Sequence, residues 1–332
     1  MRRNQSIRMF VRHYFVAGLA IFGILIAAKV PLQAADYPTR PITIIVPTGP
    51  GGSYDVVARL VAEQLSEGLG QGVVVENRTG AGTIVGTQSA INSQPDGYTL
   101  LAGGLSNIVF NADLYRKAPY DALTQLVPVA IIYKLAYILV GTNSLPFSSV
   151  RDLIAVAKAK PDALNLATAG VGTGQQLTAV AFMKATDTKL LEVPYKGASA
   201  VYPDLIAGRV DLFFDSVTAA LPYVKAGTVK GLALFANQRM SDAPNVPTMN
   251  ESGVNELNVD SWIGLFAPTG TPKPVIEKLQ KEIAAAAPEL KTKFVAVGGD
   301  YLEVPPDKLD AFVHAEFVKW SKVIREAGIS LE

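Results

Sequence analysis

The 332-residue chain contains no cysteine and only two histidines. Without cysteine there is no disulfide, no thiolate metal ligand and no cysteine-linked lipid anchor. His13 falls in an N-terminal segment expected to be removed, which leaves His314. A centre of several His or Cys ligands cannot be built from one histidine, and a Ser-His-Asp triad would hang on it. His314 lies beside the apolar stripe of the last helical segment, on the side that carries Asp310, Ser321 and Arg325. A surface position is expected there. The chain also lacks a G-x-S-x-G nucleophile turn. It has no block of like charge to suggest nucleic acid or an anionic membrane. Neither a metal nor a cofactor is expected.

What is present begins with an export layout. Arg2, Arg3, Arg8 and Arg12 form a basic start, an apolar run follows over 16–28, and "PLQAAD" supplies small residues. This predicts a secretory signal cleaved after Ala34 or Ala35, and export. The alternative is a membrane anchor, for which the run is short against the roughly 20 residues of a span. Arg2-Arg3 matches a twin-arginine signal only weakly. Removing 1–35 takes away five basic and no acidic residues, so 30 and 29 become 25 and 29, a net charge of −4. The mature chain is long enough for two domains and for a large core.

Strand-like and helix-like patterns alternate along the mature chain. The apolar run 42–46 reads as a strand buried on both faces, and Val57, Leu60, Val61 and Leu65 then recur at helical spacing. Further strands are expected at 73–76 and 98–102, then, after a restart near 146, at 164–168, 190–193, 210–214 and 230–235. Short connections between them predict parallel, doubly wound sheets. The expected fold class is α/β with two lobes: 36–140 with 259–332, and 141–258. The chain would cross between them near 138–143 and 256–262. In the last helix Leu309, Phe312, Val313, Phe317, Trp320 and Ile324 form one stripe, expected to pack on the first lobe.

The candidate chemistry lies in glycine-rich turns between strands and helices. These are "PTGPGGSYD" (47–55) and "AGGLSN" (102–107) in the first lobe, and "TAGVGTGQQ" (168–176), "PYKGAS" (194–199) and "FDSVT" (214–218) in the second. All would sit at the carboxyl ends of strands, where open parallel sheets bind ligands. A helix N-terminus offers unpaired N–H groups, and glycine lets an anion come close to them. No lysine follows the glycines as a P-loop needs, and the third glycine of G-x-G-x-x-G would fall on Tyr54. Nucleotide binding is therefore not expected. For any one loop, a plain tight turn with an ordinary helix cap is the competing explanation. The case rests on several loops converging on one cleft.

Whole phrases carry a more specific likeness: "YPTRPITIIVPTGPGGSYDVVARLVAEQL", "VVVENRTGAGT", "PDGYTLL", "VPYKGA", "DLIAGRVDLFFD", "VPTMNESG" and "SWIGLFAPTGTPKPVIEKL". They resemble the Bug-type solute receptors of tripartite tricarboxylate transporters, across the whole mature chain. The resemblance implies a two-lobed periplasmic binding protein of the type II kind and no enzymatic activity. Its ligand would be a small di-, tri- or aromatic carboxylate, held by backbone N–H groups, small hydroxyls and ordered waters. It implies monomers that deliver to the transporter's membrane subunits; a sensor protein is the other partner open to such a receptor.

Carried over to this sequence, the resemblance places one grip on Gly51, Gly52, Ser53 and Asp55, supported by Ser106; Thr48 and Tyr54 of the same loop are further candidates. The opposing grip is Thr168 with Gly172, Thr173 and Gly174, then Gly197 and Ala198, and Asp215. Asp55 and Asp215 repel a nearby carboxylate, so their expected role is to orient backbone or water. Lys196 is expected to be solvated. Two positions depart from the family pattern: Thr48 stands where an aromatic is frequent, and Tyr54 where a small residue is usual. Two positions are open to Tyr54, one in the cleft and one on the surface.

Overall fold

Apolar residues that both faces of a sheet can bury form the first strand, β1 (Ile42–Val46). Ile42, Ile44, Ile45 and Val46 are at most 1% exposed, as expected under helices on both sides. The computed structural model describes residues 37–115, 120–240, 242–255, 257 and 261–327. The expected signal segment and its cleavage site lie outside these residues. Among the described residues no helix is long and apolar enough to cross a membrane.

From β1 the chain enters α1 (Ser53–Leu69), which buries Val57, Val61 and Leu65 on one face. It ends at Gly70, whose φ of +65° suits glycine. Next come β2 (Val73–Asn77), α2 (Ile84–Ile91) and β3 (Thr99–Gly104). A π-type turn over Leu105–Phe110 follows, and then the long strand β4 (Leu126–Leu135). Only Ala136 separates β4 from β5 (Tyr137–Gly141), yet these two strands belong to different sheets.

The second sheet is built from β5, α3 (Val150–Ala159), β6 (Asn165–Thr168), α4 (Gly174–Thr186), β7 (Leu191–Pro194), α5 (Tyr202–Ile206), β8 (Leu212–Ser216), α6 (Val217–Lys225) and β9 (Lys230–Leu234). The chain then returns to the first sheet through β10 (Ser261–Pro268). It ends with α7 (Lys273–Ala285), α8 (Ala287–Ala296), β11 (Gly299–Tyr301) and α9 (Leu309–Ala327).

The strand orders are β11-β4-β10-β3-β1-β2 and β7-β6-β8-β5-β9. In the first sheet β1, β2, β3 and β4 share one direction, and β10 runs against both its neighbours. In the second sheet β5 alone runs against the rest. Each inserted strand is thus the one the chain forms on arriving from the other sheet. This pair of mixed α/β sheets, mostly parallel in direction, is the two-lobed architecture expected from the sequence.

The final helices pack on the first sheet, as the apolar stripe predicts. Leu309, Val313, Trp320 and Ile324 are buried, and Trp320 meets Phe110 edge-on at 5.3 Å between ring centroids. The indole N–H groups of Trp262 and Trp320 both donate to Glu316 Oε2, at 3.2 and 3.1 Å. His314 is exposed.

Candidate ligand-binding cleft

The carboxyl ends of β1 and β3 face those of β6 and β7 across a cleft, and the loops that follow them touch. The Gly174 N–H donates to Ser106 Oγ at 3.0 Å, from one lobe to the other. Gly49 lies against Ser199: a Cβ on it would be 3.7 Å from Ser199 Oγ. Gly82 lies so close to the Val171 carbonyl that a Cβ there would clash. Further toward the crossovers, the Tyr133 and Thr218 hydroxyls share a 2.6 Å hydrogen bond. The lobes are closed on one another.

A narrow cavity of about 40 Å³ lies between them. Thr48, Ser53, Tyr54 and Ser106 line it from the first lobe, and Thr173, Gln175 and Gly197 from the second. Tyr137 and Ser261, beside the two crossovers, close its floor. Among the described residues no side chain lining this cavity carries a charge. It shares Thr48, Thr173 and Gly197 with a wider opening of about 400 Å³, bordered by the 79–83 loop and by Lys196. Another cavity, of about 330 Å³, lies by the first crossover. Its lining residues Arg239 and Asp242 are already paired with Glu251 and Lys225.

Helix ends supply the donors of the cleft. The N-cap of α1 is Gly52, which leaves the first-turn N–H groups without a side-chain cap. Across the cleft, α4 is capped by Thr173, whose Oγ1 accepts from the Gln176 N–H. Thr173 Oγ1 in turn donates to the Gly170 carbonyl at 2.7 Å. Two hydroxyls on the first-lobe side, Thr48 Oγ1 and Tyr54 Oη, are buried with no protein partner.

The two aspartates stand behind the walls. Asp55 accepts from the Gly51 N–H at 2.9 Å, from Arg59 at 3.0 and 2.8 Å, and from Asn77 at 2.9 Å. Asn77 also donates to the Thr48 carbonyl at 3.0 Å, which ties the loop to β2. Burial opposes ionisation of Asp55, but these hydrogen bonds outweigh it and hold the carboxyl below its ordinary range. Asp215 is fully buried. It accepts from the Tyr202 hydroxyl at 2.7 Å, the Ser216 N–H at 2.8 Å and Gln175 Nε2 at 3.2 Å. Burial pushes it up from 3.8 to about 6, against the pull of those uncharged donors.

Of the residues picked out in the sequence, Thr48, Gly52, Ser53, Tyr54, Ser106, Thr173, Gly197 and Ala198 meet at the narrow cavity. The others support it from outside. The Gly51 N–H is committed to Asp55, the Gly172 N–H to Gln176 Oε1 at 2.8 Å, and the Gly174 N–H to Ser106. The Thr168 carbonyl accepts from the Tyr195 N–H at 2.9 Å. Asp215 reaches the cavity only through Gln175. Gln175, Tyr137 and Ser261 were not singled out. Gln175 adjoins the "GTG" turn and was within reach of the pattern. Tyr137 and Ser261 carry no local signal, because only the crossovers bring them in.

Two α/β lobes joined by crossovers, closed over a cleft of uncharged donors, define a solute-binding receptor. Residues 57–329 match the family described as "Tripartite tricarboxylate transporter family receptor", and the chain belongs to that family. It is 36% identical to Protein BugT of Bordetella pertussis, over 95% of this chain and 98% of that protein. Among solved structures it resembles a R. palustris protein with adipate, at TM-score 0.85 and 34% identity, covering 89% of this chain and 99% of that one. The periplasmic binding protein BugD superposes at TM-score 0.84 with 33% identity, over 89% of this chain and all of that one. MatC from Rhodopseudomonas palustris, with bound malate, gives TM-score 0.81 at 29% identity, over 87% and 100%. The family and these neighbours are solute-binding receptors and not enzymes, and the protein is a receptor of this periplasmic type.

Proposed function

We propose that the protein is exported, loses residues 1–35, and captures a small carboxylate between its lobes for delivery to tripartite tricarboxylate-type membrane subunits. The observation that carries the ligand class is the uncharged cavity at an uncapped helix start. Its donors are first-turn N–H groups of α1 and small hydroxyls, with no fixed cation among the described residues. Such a set suits an anion whose charge is spread over two oxygens. The adipate and malate held by two structural neighbours are acids of this kind.

Ser53, Tyr54 and Ser106 are assigned to one side of the ligand, and Thr173, Gln175, Gly197 and Ala198 to the other. Thr48 is assigned to the wall that the narrow cavity shares with the wider opening. Asp55 and Asp215 orient these groups without touching the acid. We take the lobes to divide at Ala136 and between β9 and β10, where the sequence reading divides them at 140/141 and 258/259. A ligand that touches both lobes stabilises the closed arrangement through its differential affinity.

A thermal-shift screen of mono-, di- and tricarboxylates against amines and sugars tests the ligand class. At one hundred times Kd a ligand adds about 2.7 kcal/mol, or several degrees in Tm. Stabilisation by acids alone is expected. Stabilisation by sugars or amines alone would overturn the assignment.

A further inference from the structure

We infer that the crevice behind the first crossover is the space into which the lobes swing on opening, so that bulk placed in it holds the cleft closed. The inference rests on the two-lobed receptor fold and not on the identity of the ligand. Three observations carry it.

The first is topological. Only Ala136 joins β4 of the first sheet to β5 of the second. In the first sheet β10, β3, β1 and β2 lie on one side of β4, and β11 lies on the other. In the second sheet β8, β6 and β7 lie on one side of β5, and β9 lies on the other. The loops that meet in the cleft follow β1, β3, β6 and β7, so the cleft lies on the first side. A crevice of about 330 Å³ is lined by Gly299 and Asp300 of β11 and by Gln238, Arg239 and Met240 just after β9, so it lies on the second side. Leu135 lines both the crevice and the narrow cavity, and the crossover stands between the two spaces.

The second is a pivot. Next to the crossover the lobes already touch. A Cβ on Gly298 would come within 2.7 Å of Val217 Cγ1, 3.3 Å of Leu221 Cδ2 and 3.4 Å of Met240 Cε. Tyr133 of the first lobe and Thr218 of the second share their hydrogen bond in the same region. Packed side chains resist compression, so the lobes turn about these contacts and about Ala136. A rotation that parts Gly82 from Val171 on the cleft side brings β11 toward 236–240 on the other side.

The third is the asymmetry of the free space. On the cleft side the loops are in contact at Gly82 and Val171. Behind the crossover the walls stand apart, and Gln238, Arg239 and Asp300 are exposed. The swing therefore has room in one direction, toward opening, and the crevice is its stroke. The apparent affinity of a ligand scales with the closed fraction of the free protein. The width of the crevice thus sets affinity from a place the ligand does not touch.

Double electron–electron resonance on the ligand-free protein tests this. The chain has no cysteine of its own, so Val74→Cys and Leu191→Cys give two unique sites for nitroxide labels. Both side chains are exposed, and they lie on β2 and β7, the outer strands of the two sheets on the cleft side. The labelled parent protein is expected to show a shorter, closed distance and a longer, open one. Gln238→Trp fills the crevice from the second lobe, and Asp300→Trp fills it from the first. Each should cut the longer-distance population by roughly fivefold or more, with Tm within a few degrees of the parent, since both positions are exposed. Gln238→Ala should leave that population equal or larger. Distributions that are alike in the parent and both Trp variants, or longer in the Trp variants, overturn the inference. The readout needs no ligand, so failure of the carboxylate reading in the thermal-shift screen is a separate result.

Discussion

Four hydrogen bonds from three residues hold the Asp55 carboxylate, two of them from the Arg59 guanidinium, whereas Asp215 has three uncharged donors. The consequences for pH run in opposite directions. Asp55 is held below its ordinary range, so its contribution to stability is present above pH ~4 and is lost as pH falls through its folded value. Asp215 is raised from 3.8 to about 6. The unfolded chain then binds fewer protons at this site than the folded one, so stability is lost as pH rises from about 4 to about 6. A shift of this size corresponds to about 3 kcal/mol at most. Asp215→Asn retains an acceptor for the Ser216 and Gln175 N–H groups and offers an N–H to the Tyr202 oxygen. The Tm of this variant relative to wild type is expected to be several degrees more favourable at pH 7.5 than at pH 4.5. Equal differences at the two pH values would show that Asp215 is not raised.

At the scale of elements, loops from the two lobes meet with little clearance. The 80–83 stretch has positive φ at four successive residues, two of them not glycine: Gly80, Ala81, Gly82 and Thr83. A substitution at Gly82 meets the Val171 carbonyl of the other lobe as well as an unfavourable φ. Gly82→Ala is therefore expected to hinder closure. Ligand affinity should fall at least tenfold while the ligand-free Tm drops by only a few degrees, as read by calorimetry and thermal melting. A variant with unchanged affinity would mean that these loops do not meet in the liganded protein.

The same scale shows what could be seen in the sequence. The strand–glycine turn–helix units after β1 and β6 were legible, because an apolar run, glycines and a helical period follow one another locally. Their loops do form the cleft. The sequence pattern marks no strand over 126–135 and only an extended run over 261–268. Both become central strands of the first sheet through long-range pairing. Tyr137 and Ser261 were invisible for the same reason: their place depends on where the chain crosses between sheets. For Tyr54 the sequence leaves the cleft and the surface both open. Packing against Gly104 at the end of β3 decides for the cleft.

For the whole molecule, the crossovers explain how two sheets act as one device. β5 enters the second sheet one residue after β4 leaves the first, and β10 is inserted into the first sheet after the return. Each lobe is thus completed by a strand from a crossover, and Tyr137 and Ser261 stand at these strands' first residues, on the cavity floor. On the proposed reading a ligand in the cavity would touch both lobes and both crossovers, and its binding energy would act directly on closure. The most direct measurement is a crystal structure of the protein with an acid that stabilises it. The account predicts a carboxylate group within hydrogen-bond distance of the first turn of α1 and of Ser53 or Ser106, with Thr173 and Gly197 on the opposite side. The acid bound instead in the cavity beside Lys134, Arg239 and Asp300, with the narrow cavity unchanged, would contradict it.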